Sequence, residues 1–153
     1  MSTGPDFAVY SPDDKLQLVV EVKGTPRTDL NWAAKLRRNL LAHGAVPSAP
    51  YFLLVVPDQL YLWSHATEGS DALPDFHADT SKVLSRYLAI WERDAATSTI
   101  SERGLELAVR SWLSDLTGSA SWSERERQAN EWLRSSGLPE SVRTGTVKAE
   151  SAV

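Results

Sequence analysis

Asp6, Glu21 and Lys23 are the residues of this 153-residue chain whose types and spacing point to chemistry. Carboxylates are the oxygen ligands that hard divalent cations prefer, and magnesium needs only one or two because it keeps several of its waters. A lysine at neutral pH is a donor and a compact positive charge, not a ligand. Together they meet the needs of phosphodiester hydrolysis. A cation neutralises the phosphate, water is activated beside it, and a fixed positive group steadies the nucleophile or the phosphate.

Two strands have to place them. Phe7 to Tyr10 reads as one strand, Ser11-Pro12-Asp13-Asp14 as a proline-led turn, and Leu16 to Lys23 as a second strand. Side chains alternate along a strand, so Leu16, Leu18, Val20 and Val22 share one face while Gln17, Val19, Glu21 and Lys23 share the other. If Phe7 and Val9 join the apolar face with Leu18 and Val20, the pairing parity is fixed, because a slip of one residue flips the strand. Asp6 is then expected opposite or diagonal to Glu21, on its face. The Val22 carbonyl is a plausible third ligand for a cation held by Asp6 and Glu21.

The rest of the chain reads as an α/β core followed by a helical half. Gly24 to Asp29 is a loop. Thr28 or Asp29 caps a helix over roughly Leu30 to His43, closed by Gly44, with Ala33, Leu36, Leu40 and Leu41 as its apolar stripe. Lys35, Arg37 and Arg38 lie off that stripe, as a solvated face or as nucleic-acid phosphate contacts. Tyr51 to Val56 is a strand buried on both faces, Pro57-Asp58 a turn, and Leu60 to Trp63 a further strand. Asp75 to Asp79 has the residue types of a metal cluster but reads better as a loop leading to a helix cap. Helices are expected from Asp79 or Thr80 to Trp91, from Ser101 to Leu116, and from a capping box at Ser123 to Gly137. Trp91, Trp112 and Trp132 fall on their apolar sides; Trp122 reads as a hydrophobic staple and His65 has no evident partner. The expected organisation is one domain over residues 1–137, with its core at 5–63 and its helical part at 78–137. Residues 138–153 are expected as a disordered tail.

Bulk properties restrict the classes. The length suits a single domain with a real core, no apolar run reaches membrane-spanning length, and the first residues carry no signal-peptide pattern. There is no cysteine, which excludes disulfides and thiolate metal sites and is compatible with a cytoplasmic location. The net charge of −4 speaks mildly against general nucleic-acid binding. Its distribution speaks for it: Lys15 to His43 holds six basic residues and two acidic ones, in the same segment as Glu21 and Lys23.

Pro5-Asp6, fourteen residues, then Glu21-Val22-Lys23, followed by a helix and a buried strand, resembles the PD-(D/E)XK nuclease superfamily. Four Pro-Asp dipeptides occur, and only the first precedes a strand paired with the Glu-Val-Lys strand, so context singles it out. The wording of residues 5 to about 63, including Val-Val-Glu-Val-Lys and Ala-Lys-Leu-Arg-Arg-Asn-Leu-Leu-Ala-His-Gly, is similar to that of uncharacterised bacterial members. The resemblance implies a restriction-endonuclease-like mixed central sheet with flanking helices. It also implies magnesium-dependent (or manganese-dependent) hydrolysis of DNA, with Asp6 and Glu21 as metal ligands and Lys23 as the catalytic lysine. Some members carry a glutamine on the helix after the Glu-x-Lys strand, where Lys35 stands here. The alternative is a non-catalytic module of the same fold that binds nucleic acid or docks a partner. The tryptophan-rich helical half allows a homodimer or a place in a larger complex without requiring either.

Overall fold

Alternation of apolar side chains builds the first hairpin, β1 (Phe7–Tyr10) and β2 (Leu16–Val22), in the expected parity: Phe7 faces Val20, Ala8 faces Val19 and Val9 faces Leu18. The register shifts after Val9, so that Tyr10 pairs with Leu16. The structure, a computed structural model, describes residues 5–44, 46–64, 72–91, 101–118 and 123–149.

From β2 the chain crosses over through α1 (Leu30–Ala42) to β3 (Tyr51–Val55), which runs parallel to β2. A parallel pair requires such a crossover. Asp29 caps α1 by accepting the Trp32 N–H at 2.8 Å. A tight turn then leads into β4 (Gln59–Trp63), antiparallel to β3, and β5 (Phe76–Asp79) pairs with β4. After the helices α2 (Thr80–Val83), α3 (Ser85–Trp91), α4 (Glu102–Thr117), α5 (Glu124–Ala129) and α6 (Leu138–Val142), β6 (Thr146–Ala149) returns to pair with β1. The result is a six-stranded mixed sheet in the order β5-β4-β3-β2-β1-β6.

Two apolar layers enclose it. On one face Val19, Phe52, Leu54, Tyr61 and Trp63 pack with Ala33 and with Leu36, Leu40 and Leu41 of α1. On the other, Leu18, Val20, Leu53 and Leu62 pack under Leu84, Leu105, Val109, Trp112 and Leu133. Removing such side chains from water is the main stabilising term. Among the described residues no helix is long and apolar enough to cross a membrane.

Several expectations need correction. Residues 138–149 are not a tail: Leu138 and Val142 are fully buried, and β6 covers the edge of β1. Only three apolar anchors, spread through polar sequence, carry that segment. The stretch from Asp75 to Asp79 contains an edge strand, and among the described residues no group of three acidic or imidazole side chains is placed to hold a metal. The helix expected over Thr80 to Trp91 is broken at Leu84. The one expected from Ser123 to Gly137 gives way after Ala129 to a 3-10 turn over Glu131–Ser136. At that break Asn130 is buried and its Oδ1 accepts the Trp112 Nε1–H at 3.0 Å. Trp132 is half-buried on the core; the Trp91 side chain, Trp122 and His65 lie outside the described residues.

Candidate functional site

The site is built at the end of β2, where three chain segments meet. Glu21 is the last strand residue but one, and it is 4% exposed. The strand is held on either side of it: Val20 by β1 and β3, and Lys23, two residues on, by an N–H bond of 2.9 Å to the Val55 carbonyl. Lys23 therefore continues the strand and stands on the Glu21 side, roughly 6.5–7 Å further along. It is half-exposed.

Asp6 arrives differently from the expected ladder partner of Glu21. Its N–H binds the Val20 carbonyl at 3.0 Å, so Asp6 and Phe7 both face Val20, as in a bulge. The side chain turns toward β2, where Oδ2 accepts the Val22 N–H at 2.7 Å. Asp6 thus meets the strand edge-on, in place of a backbone partner. In a strand the N–H and carbonyl of one residue point to the same side, so the Val22 carbonyl lies on the edge that Asp6 occupies. Asp6, Glu21, Val22 and Lys23 meet at this strand end, with Asp6 tied to β2 through the Val22 N–H.

Electrostatics shows how tightly they are placed. Burial pushes the Glu21 carboxyl up to about 7, the Asp6 charge adds to the rise, and Lys23 opposes it. Burial also raises Asp6, while the Val22 N–H and Lys23 pull it back and Glu102 adds to the rise. Glu21 Oε2 is sealed from water with no hydrogen-bond partner among the described residues. A buried carboxylate in that state holds a proton or a cation. The donor set, two carboxylates and a backbone carbonyl, is all oxygen and suits a hard divalent ion that keeps part of its water shell.

The loop after Lys23 is pinned at both ends. Gly24 N–H is bound by Glu102 Oε1 at 2.7 Å, and Thr28 N–H by Asp58 Oδ2 at 3.3 Å, with Thr28 Oγ1 2.7 Å from the Tyr61 hydroxyl. Between them Arg27 is exposed and left-handed, at φ 57°.

The three basic residues of α1 separate. Lys35 is exposed and Arg38 half-buried. Arg37 is buried, its guanidinium 5.3 Å from the Trp63 ring centre, and burial lowers its pKa against the pull of Asp75. It belongs to the packing between α1 and the sheet, not to a solvated face. Glu102 and Glu106, which the sequence reading passed over, both act on Glu21 from α4. A cavity of about 520 Å³ lies elsewhere, lined by Tyr87, Arg86, Arg125 and Asn130 among others, and none of the strand-end residues lines it. Set against known proteins, the chain matches no family model, no curated protein and no solved structure.

Proposed function

We propose that this chain is a metal-dependent nuclease that hydrolyses DNA phosphodiester bonds on a restriction-endonuclease-like α/β scaffold. The observation that carries the reading is the buried, unpartnered Glu21 carboxylate beside Asp6, with Lys23 next on the same side of the strand. Asp6 and Glu21 hold magnesium or manganese, with the Val22 carbonyl as the third protein ligand. The ion, when bound, neutralises the phosphate and acidifies water. Val22 N–H fixes Asp6 through Oδ2, so Oδ1 would be the oxygen left to ligate an ion. Lys23 places a point charge where it steadies the attacking water or the phosphate. Of the basic residues of α1, Lys35 and Arg38 reach solvent and would meet backbone phosphates, while burial takes Arg37 out of that role.

The test is cleavage of supercoiled plasmid with magnesium or manganese by wild type, Asp6→Asn, Glu21→Gln and Lys23→Met. Asparagine is chosen because it keeps an acceptor for the Val22 N–H; alanine there would leave that donor unbound. Wild type is expected to nick or linearise the plasmid, and each variant to lose at least roughly 100-fold in rate, the size of effect seen when a charge-stabilising group is removed. The second reading, a non-catalytic module that binds nucleic acid or docks a partner, is favoured by the acidic balance of the chain as a whole. DNA retention without cleavage under any divalent ion would select it.

A further inference from the structure

The loop between β2 and α1 crosses the end of the sheet on the Glu21 face. Glu21, Leu54 and Tyr61 are successive partners across β2, β3 and β4, so their side chains share that face. Neighbouring strands lie about 4.8 Å apart, which puts Tyr61 roughly 10 Å from Glu21 along the row. Thr28 is fixed at Tyr61 by the 2.7 Å contact between their hydroxyls, and its N–H is bound by Asp58 at 3.3 Å. At the other end of the loop the Lys23 N–H is held by the Val55 carbonyl, and Gly24 is anchored on Glu102. Thr25, Pro26 and Arg27 therefore bridge the rim from the candidate cation site to Tyr61, and all three are exposed.

Arg27 is the residue of this bridge that local sequence does not explain. Its φ of 57° lies in the left-handed region, where a side chain is strained and glycine or asparagine is at ease. Asp14 shares that conformation in the first hairpin turn, where aspartate tolerates it, and Thr144 does so in a turn closed by the Gly145 N–H on the Val142 carbonyl. No such backbone bond closes a turn at Arg27 among the described residues; the anchors at Gly24 and Thr28 impose the conformation. Exposed as it is, Arg27 contributes no packing to offset the strain. The carboxylates nearest it in the chain are committed elsewhere, Asp29 to the cap of α1 and Asp58 to Thr28. Strain that the surroundings hold in place gathers at sites that bind or react.

We infer that Arg27 is a DNA-contact residue of the strand-end site, gripping a backbone phosphate that flanks the one hydrolysed. Its role rests on the metal-dependent nuclease reading above. The guanidinium extends the positive row that Lys23 begins at the strand end and that Lys35 and Arg38 continue on α1, the helix into which the loop leads. A planar guanidinium pairs with two phosphate oxygens at once, a geometry the point charge of lysine does not offer.

Fluorescence anisotropy of a fluorescein-labelled duplex oligonucleotide tests it, with the full chain in calcium, a hard ion that takes oxygen ligands as magnesium does. The titration is repeated over a series of salt concentrations. Arg27→Gly should weaken binding about 5–10-fold and flatten the slope of log affinity against log salt by about 1, the loss of one phosphate contact. Its melting point should be unchanged or raised, because glycine relieves the left-handed backbone. Arg27→Asn, which keeps a side chain at ease there, should match it in both readouts. Arg27→Lys keeps the charge and should retain the wild-type slope, with affinity within about three-fold. Arg134→Gln is the control for charge alone. Arg134 is exposed on the turn whose Ser136 carbonyl accepts the Tyr51 hydroxyl, at the far end of β3, and its variant should bind within about two-fold of wild type. Wild-type affinity and slope in Arg27→Gly overturn the role of Arg27, and so does an equal loss in Arg134→Gln. In either case plasmid cleavage by wild type leaves the nuclease reading standing. Lowered melting points in both Arg27→Gly and Arg27→Asn alongside weakened binding assign Arg27 to the fold and overturn its role. No duplex binding by wild type overturns it as well, and the nuclease reading falls with it if the plasmid also stays intact.

Discussion

The helical half satisfies most of its buried polar side chains, whereas the end of β2 leaves a buried carboxylate oxygen without a partner among the described residues. In the helical half, Thr80 donates to the Val56 carbonyl at 2.7 Å, Asn130 accepts from Trp112, and Ser136 both donates to Leu133 and accepts from Leu138. Each of these is satisfied, as most buried polar groups in a stable core are; Trp132 Nε1 is the exception in this half among the described residues. At the end of β2 the reverse holds, with Glu21 Oε2 sealed and unpartnered next to Asp6. The first region uses its polar atoms to fix a fold. The second keeps a buried carboxylate whose charged form a proton or a cation would relieve.

The largest expected effect lies on the structural side. Trp112→Ala should cost about 3–5 kcal/mol in urea unfolding, from the lost side chain and from the Asn130 acceptor left bare. A cost below about 1 kcal/mol would erase the contrast at its stable pole.

Glu21→Gln should move stability the other way. The Glu21 carboxyl is raised from its ordinary 4.5 to about 7, so the native state binds the extra proton between those values and stability falls as pH rises through that window. Without divalent ions, the variant should therefore be up to about 3 kcal/mol more stable than wild type at pH 8, converging with it below pH 4.5. A pH-independent difference in melting point would show that Glu21 is not held in this way.

Gly145→Ala probes the backbone that joins the two regions. A Cβ there would sit 2.3 Å from the Tyr10 carbonyl oxygen and 2.9 Å from that of Val142, backbone atoms that have little room to yield. A loss of about 1–3 kcal/mol is expected, read by the same unfolding curves. The smallest effects sharpen the division within α1. Arg37→Ala should cost about 1–2 kcal/mol through its lost packing on Trp63, and Lys35→Ala should stay within about 0.5 kcal/mol.

How far these regions were legible in the sequence depends on where their determinants lie. The first hairpin and α1 followed from local alternation and a capping Asp29, since a side chain's parity decides its face. Asp6 was legible as a neighbour of Glu21 but not as a bulge residue, because turning onto the Val22 N–H is decided where the strand ends. Arg37 carried a signal that charge obscured: it is four residues from Ala33, at the centre of the buried stripe. β5 and β6 are short edge strands whose half-polar sequences gain their place from β4 and β1, so no local pattern announced them. Glu102 and Glu106 looked like any helix start until α4 was seen to abut Gly24.

The pairing of β6 with β1 has a consequence for the order of assembly. Phe7 lies against Ala149 and Tyr10 against Thr146, so the first strand of the sheet in chain order waits for its sixth. Until then the outer edge of β1 presents open backbone donors and acceptors, a template for pairing with other chains. Closing so long a loop is slow relative to local contacts. The strand that leads out of Asp6 is thus the last in the sheet to be sheltered, and newly made chains are exposed to aggregation along that edge until β6 docks.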